Sequence, residues 1–211
     1  MRVDRQKRLF VAGTDTGVGK TLVAGMLAVV MKAAYWKPVQ TGSREESDAS
    51  WVDRVCGVPR QRIYPEAYSF SEPVSPHLAA RLEGRTIDLS AIAWPESDGM
   101  MIAEGAGGIM VPLNEKEFIL DLIIRLAAPV LVVARSGLGT INHTLLTVDR
   151  LRYSGAEVRG VVLNGEPNPE NRKAIQTLGR VEVVAEIGNI SHLSPGTLGS
   201  EAERHFSDVV F

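Results

Sequence analysis

Lys20 and Thr21 close the stretch GTDTGVGKT at residues 13–21. A lysine and a hydroxyl residue at the mouth of a glycine-rich turn suit phosphate chemistry. Backbone N–H groups cradle the anionic oxygens, the ammonium reaches the β- and γ-phosphates, and the hydroxyl joins a Mg²⁺ shell. Asp15, Thr16, Gly17, Val18 and Gly19 are the candidates for the cradle. The spacing is unusual, because five residues separate Gly13 from Gly19, where the common pattern has about four. Thr16 through Thr21 suffice for the phosphates, so Gly13 is expected to turn the chain off the preceding strand.

A hydroxyl-bound Mg²⁺ usually takes carboxylate help as well. Glu104 follows the apolar run GMMIA and precedes glycines, so it is expected at the C-terminal end of a buried strand. That is the crevice where open α/β sheets hold ligands. Asp48, in EESDAS, falls near the start of a helix, where an acid also serves as an ordinary cap. Lys37 ends the run AYW just before Pro38. An exposed lysine is the bland reading there. A lysine at the end of a central strand would instead aim at the same crevice as Lys20, where two cations favour an acidic substrate or phosphoryl transfer.

Strands and helices must position these groups. Residues 9–12, 100–103, 130–134, 161–163 and 181–185 are short runs apolar throughout, as in strands covered on both faces. Residues 34–39 form a weaker strand ended by Pro38. Helical periodicity marks 19–33, 47–56, 75–83, 118–127, 140–154 and 169–178. In the segment INHTLLTVDRLRYSG, Ile141, Leu145, Val148 and Leu151 share a face, and Gly155 suits a C-cap. This alternation predicts an α/β fold: a doubly wound, mostly parallel sheet with helices on both faces, of the P-loop NTPase type. No linker divides residues 1–211, so one domain is expected.

A formal net charge of −2 gives no reason to expect nucleic acid as a partner. Cys56 has no second cysteine with which to pair and is expected to be a small buried apolar residue. The apolar run after the basic N-terminus is too short for a signal core, and Asp121, Arg125 and Pro129 interrupt the most apolar segment. A cytosolic protein without membrane association is expected.

Taken in order, GTDTGVGKT, YWKPVQTG, SDA, PVSPHLAA, EGAGG, LGTINHTLLT and VVLNG resemble dethiobiotin synthetase, the ATP-dependent cyclase of biotin synthesis. They reach from residue 13 to about 165, and together they are highly specific. The resemblance implies that Asp15 to Thr21 and Asn164 hold the nucleotide, with Asn164 on the adenine. It places Thr21, Asp48 and Glu104 around Mg²⁺, makes Lys20, Lys37 and Thr16 catalytic, and sets Lys37 on a carbamate. Thr41 and Gly107 would lie beside the substrate. Gly139, Thr140, Ile141 and Asn142 would hold its carboxylate at a helix N-terminus, across the interface of a homodimer. The implied substrates are 7,8-diaminononanoate (diaminopelargonate), CO₂ or bicarbonate, and ATP with Mg²⁺. Such chemistry needs positioning and cations rather than a protein nucleophile. Gly188 stands where the family usually has proline, and the tail from about 190 carries little resemblance.

The main alternative is a Walker-type ATPase switch of the partitioning and positioning class, which shares this kind of fold. Its loop carries a signature lysine where Asp15 stands here. A GTPase would need an asparagine-lysine-x-aspartate motif after residues 161–163, where LNGEP occurs instead.

Overall fold

The computed structural model describes residues 7–44 and 46–209. In chain order its first half runs β1 (Arg8–Gly13), α1 (Lys20–Val30), β2 (Ala34–Trp36), β3 (Val39–Gln40), α2 (Asp48–Trp51), β4 (Ile63–Tyr64), β5 (Tyr68–Ser69) and α3 (Pro76–Leu82). There follow β6 (Met101–Gly108), α4 (Ile119–Leu126), β7 (Val130–Arg135), α5 (Thr140–Tyr153), β8 (Val158–Asn164), α6 (Pro169–Gly179), β9 (Val183–Ile187) and α7 (Pro195–Phe206). Seven strands make one parallel sheet in the order β4-β2-β6-β1-β7-β8-β9.

The runs lack polar alternation because both faces of the sheet are covered. Leu9, Val11, Tyr35, Ile102, Leu131 and Val133 pack on one face against α1 and α7. The residues between them, including Phe10, Ala12, Trp36, Ala103 and Val132, pack on the other face with α3, α4, α5 and α6. β1 lies between β6 and β7, so the chain passes from one side of β1 to the other after β6. The resulting crevice at the C-terminal ends of β6, β1 and β7 holds the segments that carry the candidate chemistry.

Several sequence expectations need correction. Residues 34–39 are not one strand. β2 stops at Trp36, and beyond Pro38 the chain joins β5 in a separate two-stranded sheet. Proline cannot donate to a ladder, so the switch of sheets falls there. Three residues connect α1 to β2, with Lys32 in the left-handed region at φ 50°. The helix predicted over 47–56 keeps its α form only to Trp51, then widens into a π-helical turn over Val52–Cys56.

The tail contains α7, which periodicity had not singled out. Ser194 caps it by accepting from the Thr197 amide, and Pro195 occupies the first turn. Leu198, Ala202 and Phe206 recur at helical spacing and are buried against the α1 layer. Burial of each large side chain contributes about 1.5–3 kcal/mol.

Candidate active site

The loop between β1 and α1 is shaped by glycines. Gly17 and Gly19 adopt φ of 71° and 97°, a conformation other residues enter only with strain. Gly19 is the N-cap of α1, and no side chain caps that helix start. Gly13 is the final residue of β1 and does not turn the chain, contrary to expectation. A Cβ there would lie 2.8 Å from Lys20 Nζ. Its missing side chain makes room for Lys20, whose Nζ folds back to donate to the Asp15 carbonyl at 2.8 Å.

Glu104 sits within β6, opposite Val11, rather than at the strand's end. Strand β6 continues to Gly108, which pairs with Gly13, so extra residues bulge between the two pairs. Gly107, at φ 66°, takes that bulge close to the loop: a Cβ would meet Thr16 Oγ1 at 3.3 Å and Val111 at 2.7 Å. Period-two alternation then sets the cluster. Tyr35, Lys37 and Glu104 point to the α1 side of the sheet, beneath the start of that helix.

Glu104 is 1% exposed and fully engaged. Its Oε1 accepts from Thr21 Oγ1 at 2.8 Å and Lys37 Nζ at 3.2 Å, while Oε2 accepts from the Tyr35 hydroxyl at 2.7 Å. Lys37 also donates to Asp48 Oδ2. Asp48 is the first residue of α2, after a Ser47 cap, and its amide donates to Gln40 Oε1 at 3.2 Å. One ammonium therefore bridges two carboxylates that would otherwise be costly to bury.

Burial pushes the Lys20 ammonium down to a pKa of about 8, against the opposing pull of Glu104 and with help from Lys37. Burial also works against Lys37, but Glu104 and Asp48 outweigh it and hold that pKa above its ordinary value. The Tyr35 phenol is held well above its usual range by burial and then by Glu104. Burial raises the Cys56 thiol to about 12, consistent with an inert apolar role.

These groups surround a cleft of about 740 Å³. Thr16, Gly17, Gly19, Lys20 and Thr21 line one wall, with Lys37, Asp48 and Glu104 at the base. Thr41 and Gly107 flank it, and Pro73, Val74, Pro76, Ala106 and Val111 form an apolar wall. Thr21, Asp48 and Glu104 could hold a metal. Two carboxylates and a hydroxyl are hard oxygen donors that leave room for phosphate oxygens and water, which suits Mg²⁺. No cluster of three or more His, Cys, Asp or Glu side chains occurs among the described residues.

The family model described as an AAA domain matches residues 7–197. An ATP-dependent dethiobiotin synthetase BioD of Paramagnetospirillum magneticum is 50% identical over 190 residues, covering 90% of this chain and 92% of that protein. The BioD of Rhodopseudomonas palustris strain HaA2 is 43% identical, covering 95% and 94%. The chain belongs to the dethiobiotin synthetase family. Its members carry the name of an ATP-dependent ligase, and the resemblance drawn from the motifs is borne out. A biotin biosynthesis bifunctional protein BioCD of Bordetella avium is 46% identical, the match covering 87% of this chain and 40% of that longer protein.

For the fold, this dethiobiotin synthetase family member is similar to a chain of the MinC:MinD cell division protein complex of Aquifex aeolicus, with a TM-score of 0.55 at 14% identity over 97% of both chains. The MinD cell division ATPase of Pyrococcus furiosus gives 0.52 at 16% identity, covering 96% and 92%. These likenesses bear out the P-loop NTPase-like architecture.

The family's remaining candidate residues lie apart from the cleft. Asn164, at the end of β8, donates from Nδ2 to the Val18 carbonyl at 3.0 Å, bracing the loop. Asp15 is exposed and pairs with Arg135, at the end of β7, at 2.8 Å. Val18 is buried. Gly139, Thr140, Ile141 and Asn142 open α5 after β7, and none of them lines the cleft. Thr140 turns inward, 3.3 Å from the Thr144 hydroxyl, while Gly139 and Asn142 are exposed.

Sequence reasoning missed Tyr35, Gln40 and Arg135. The signal for Tyr35 was its position two residues before Lys37, which puts both on one face of a strand. Gln40 reaches Asp48 eight residues on, and Arg135 reaches Asp15, 120 residues away; neither pairing follows a helix or strand period.

Proposed function

We propose that this chain converts 7,8-diaminononanoate, CO₂ and ATP into dethiobiotin, ADP and phosphate. One amine of the diamine adds to CO₂ and loses a proton, giving a carbamate. The carbamate oxygen takes the γ-phosphoryl group of ATP, with ADP leaving, to give a carbamic–phosphoric mixed anhydride. The second amine attacks that carbonyl, closes the ureido ring and expels phosphate. No step needs a protein nucleophile, so the work left to the protein is orientation and charge stabilisation.

The observation that carries this reading is the convergence of Lys20, Lys37, Thr21, Asp48 and Glu104 on one cleft with an apolar wall. Lys20 and the loop amides, with Thr16, would hold the triphosphate. Thr21, Asp48 and Glu104 would hold Mg²⁺, which neutralises phosphate charge when bound. Lys37 would leave its two acids to meet the carbamate, while Thr41, Gly107 and the apolar wall take the carbon chain. Asn164 would contact the adenine beside the loop it braces.

The substrate carboxylate would bind at the start of α5 of a second copy. A helix N-terminus attracts an anion through its free amides and dipole. The surface around it carries exposed apolar side chains among polar ones: Leu138, Leu146 and Tyr153 are 103%, 62% and 86% exposed, alongside exposed Asn142, His143, Asp149 and Arg150. Leu146 and Tyr153, seven residues apart, lie on one side of α5, with the Arg150 guanidinium 5.8 Å from the Tyr153 ring, and a homodimer would cover this mixed surface. We place the enzyme in the cytoplasm. Among the described residues no helix is long and apolar enough to cross a membrane.

The partitioning ATPase reading rests on a fold that many functions share. Asp15, paired with Arg135, stands where that class has a cation. The assay that separates the two is ATP hydrolysis with diamine and bicarbonate each omitted in turn. Hydrolysis that requires both, with dethiobiotin as product, is expected. Turnover indifferent to the diamine would overturn the assignment.

A further inference from the structure

Of the three donors to Glu104, Thr21 and Lys37 line the cleft and Tyr35 does not. Tyr35 is fully buried in β2, where it pairs with Ile102 one strand over from Glu104. Ile102 and Glu104 lie on the same face of β6, so the phenol leans along the strands to reach Oε2 from inside the protein. The two carboxylate oxygens therefore have different surroundings. Oε1 faces groups that a ligand could displace, and Oε2 is tied to the core.

We propose that Tyr35 is a positioning residue that sets metal preference by allowing Glu104 to offer a cation only one oxygen. The inference rests on the reading of Glu104 as a metal ligand. A small octahedral cation such as Mg²⁺ binds single oxygens at about 2.0–2.1 Å, whereas Ca²⁺ takes 6–8 oxygens, often with both from one carboxylate, at about 2.3–2.6 Å. With the phenol in place, Glu104 cannot swing Oε2 outward, and the site disfavours the larger ion. Without it, the carboxylate is free to chelate. A partner that fixes a ligand's orientation in this way is commonly worth about 10–100-fold in metal affinity.

The test measures binding rather than turnover. Mg²⁺ and Ca²⁺ are titrated separately, by calorimetry, into the full chain holding a non-hydrolysable ATP analogue. Tyr35→Phe should weaken Mg²⁺ roughly 10-fold and shift the Mg²⁺/Ca²⁺ affinity ratio toward Ca²⁺ by at least as much. A purely structural role for the phenol would lower the melting temperature and leave that ratio unchanged, which would overturn the proposal. Glu104→Gln separates the two readings. If it weakens Mg²⁺ binding while Tyr35→Phe leaves the ratio intact, only the Tyr35 inference falls. If it leaves Mg²⁺ binding intact, Glu104 is not a ligand and both fall.

A second measurement needs no variant. In wild-type protein carrying ¹³Cζ-labelled tyrosine, the Tyr35 resonance should keep its hydrogen-bonded shift when Mg²⁺ and the ATP analogue are added. Loss of that shift would mean that Glu104 turns both oxygens to the metal, against the proposal.

Discussion

At the head of α1, Lys20, Lys37 and Glu104 are buried and line one cleft, while at the head of α5, Gly139 and Asn142 are exposed and outside it. Both are helix N-termini that follow a central strand, and both are entered through a glycine at positive φ. They differ in what lies opposite. The loop before α1 faces Glu104 of β6, Lys37 just beyond β2 and Asp48 at the start of α2, all within one chain. The start of α5 lies beside exposed Leu138, and farther along the helix Leu146 and Tyr153 are exposed, the Tyr153 ring lying under the Arg150 guanidinium. On the proposed function, the first would be the phosphate and metal half of the site, complete within one chain, and the second the carboxylate half, completed by a second copy.

The sharpest way to break that contrast is Lys37→Ala. If Lys37 stabilises charge at the reacting carbamate, turnover should fall by about 10²-fold or more. The variant also strands Glu104 and Asp48 without their shared cation, which typically costs about 3–5 kcal/mol for a broken buried pair. Mg²⁺ with an ATP analogue should then raise the melting temperature of the variant more than that of the wild type, because a cation returns. Unchanged kinetics would remove Lys37 from the chemistry.

Complementation sharpens the other half. Lys20→Ala disables the loop, and Asn142→Glu sets an acid against an incoming carboxylate at a helix start that tolerates it. Each variant alone should be nearly inactive. Random mixing in a two-fold dimer leaves about a quarter of all sites intact, so about a quarter of wild-type activity should return. No recovery in verified heterodimers would mean that each chain holds a complete site.

The smallest effect concerns Lys20. Its pKa in the free protein is about 8, below the ordinary 10.5, so its proton leaves as the pH rises through 8. A triphosphate favours the ammonium. Affinity for an ATP analogue should therefore hold below pH 8 and fall above it, by about tenfold between pH 7 and 9 for one linked proton. Calorimetry in buffers of different ionisation enthalpy should show proton uptake above pH 8. Affinity flat across that range would mean that Lys20 does not meet the phosphates as a cation.

The order of strands and helices, the loop before α1 and the candidates Lys20 and Glu104 were legible in the sequence because their signals are local. Asp48 by itself read as a helix cap, and Lys37 as an exposed lysine, until the family resemblance brought them in. An apolar run of five residues reads as a buried strand wherever it falls, and GKT between a strand and a helix carries its meaning in neighbouring residues. Helix α7 was not predicted, although Ser194, Pro195 and the spacing of Leu198, Ala202 and Phe206 carry its signal, because it lies beyond the recognised motifs. Other features depended on pairing. Glu104 was expected at a strand end and lies within β6, because the register with β1 slips between Val11 and Gly13. Gly13 was read as a turn and proved to be the space in which Lys20 folds back.

By itself, then, the sequence determined a parallel α/β fold with a phosphate loop and the family to which the chain belongs, since periodicity and motif spacing are properties of the chain in one dimension. It took the folded chain to show that Tyr35 holds one oxygen of Glu104, that Gln40 holds the amide of Asp48, and that Asn164 braces the loop at Val18. Those contacts join residues 69, 8 and 146 positions apart. They exist because sheet order and the course of the connecting loops bring these residues within hydrogen-bond reach, which helix or strand periodicity does not encode.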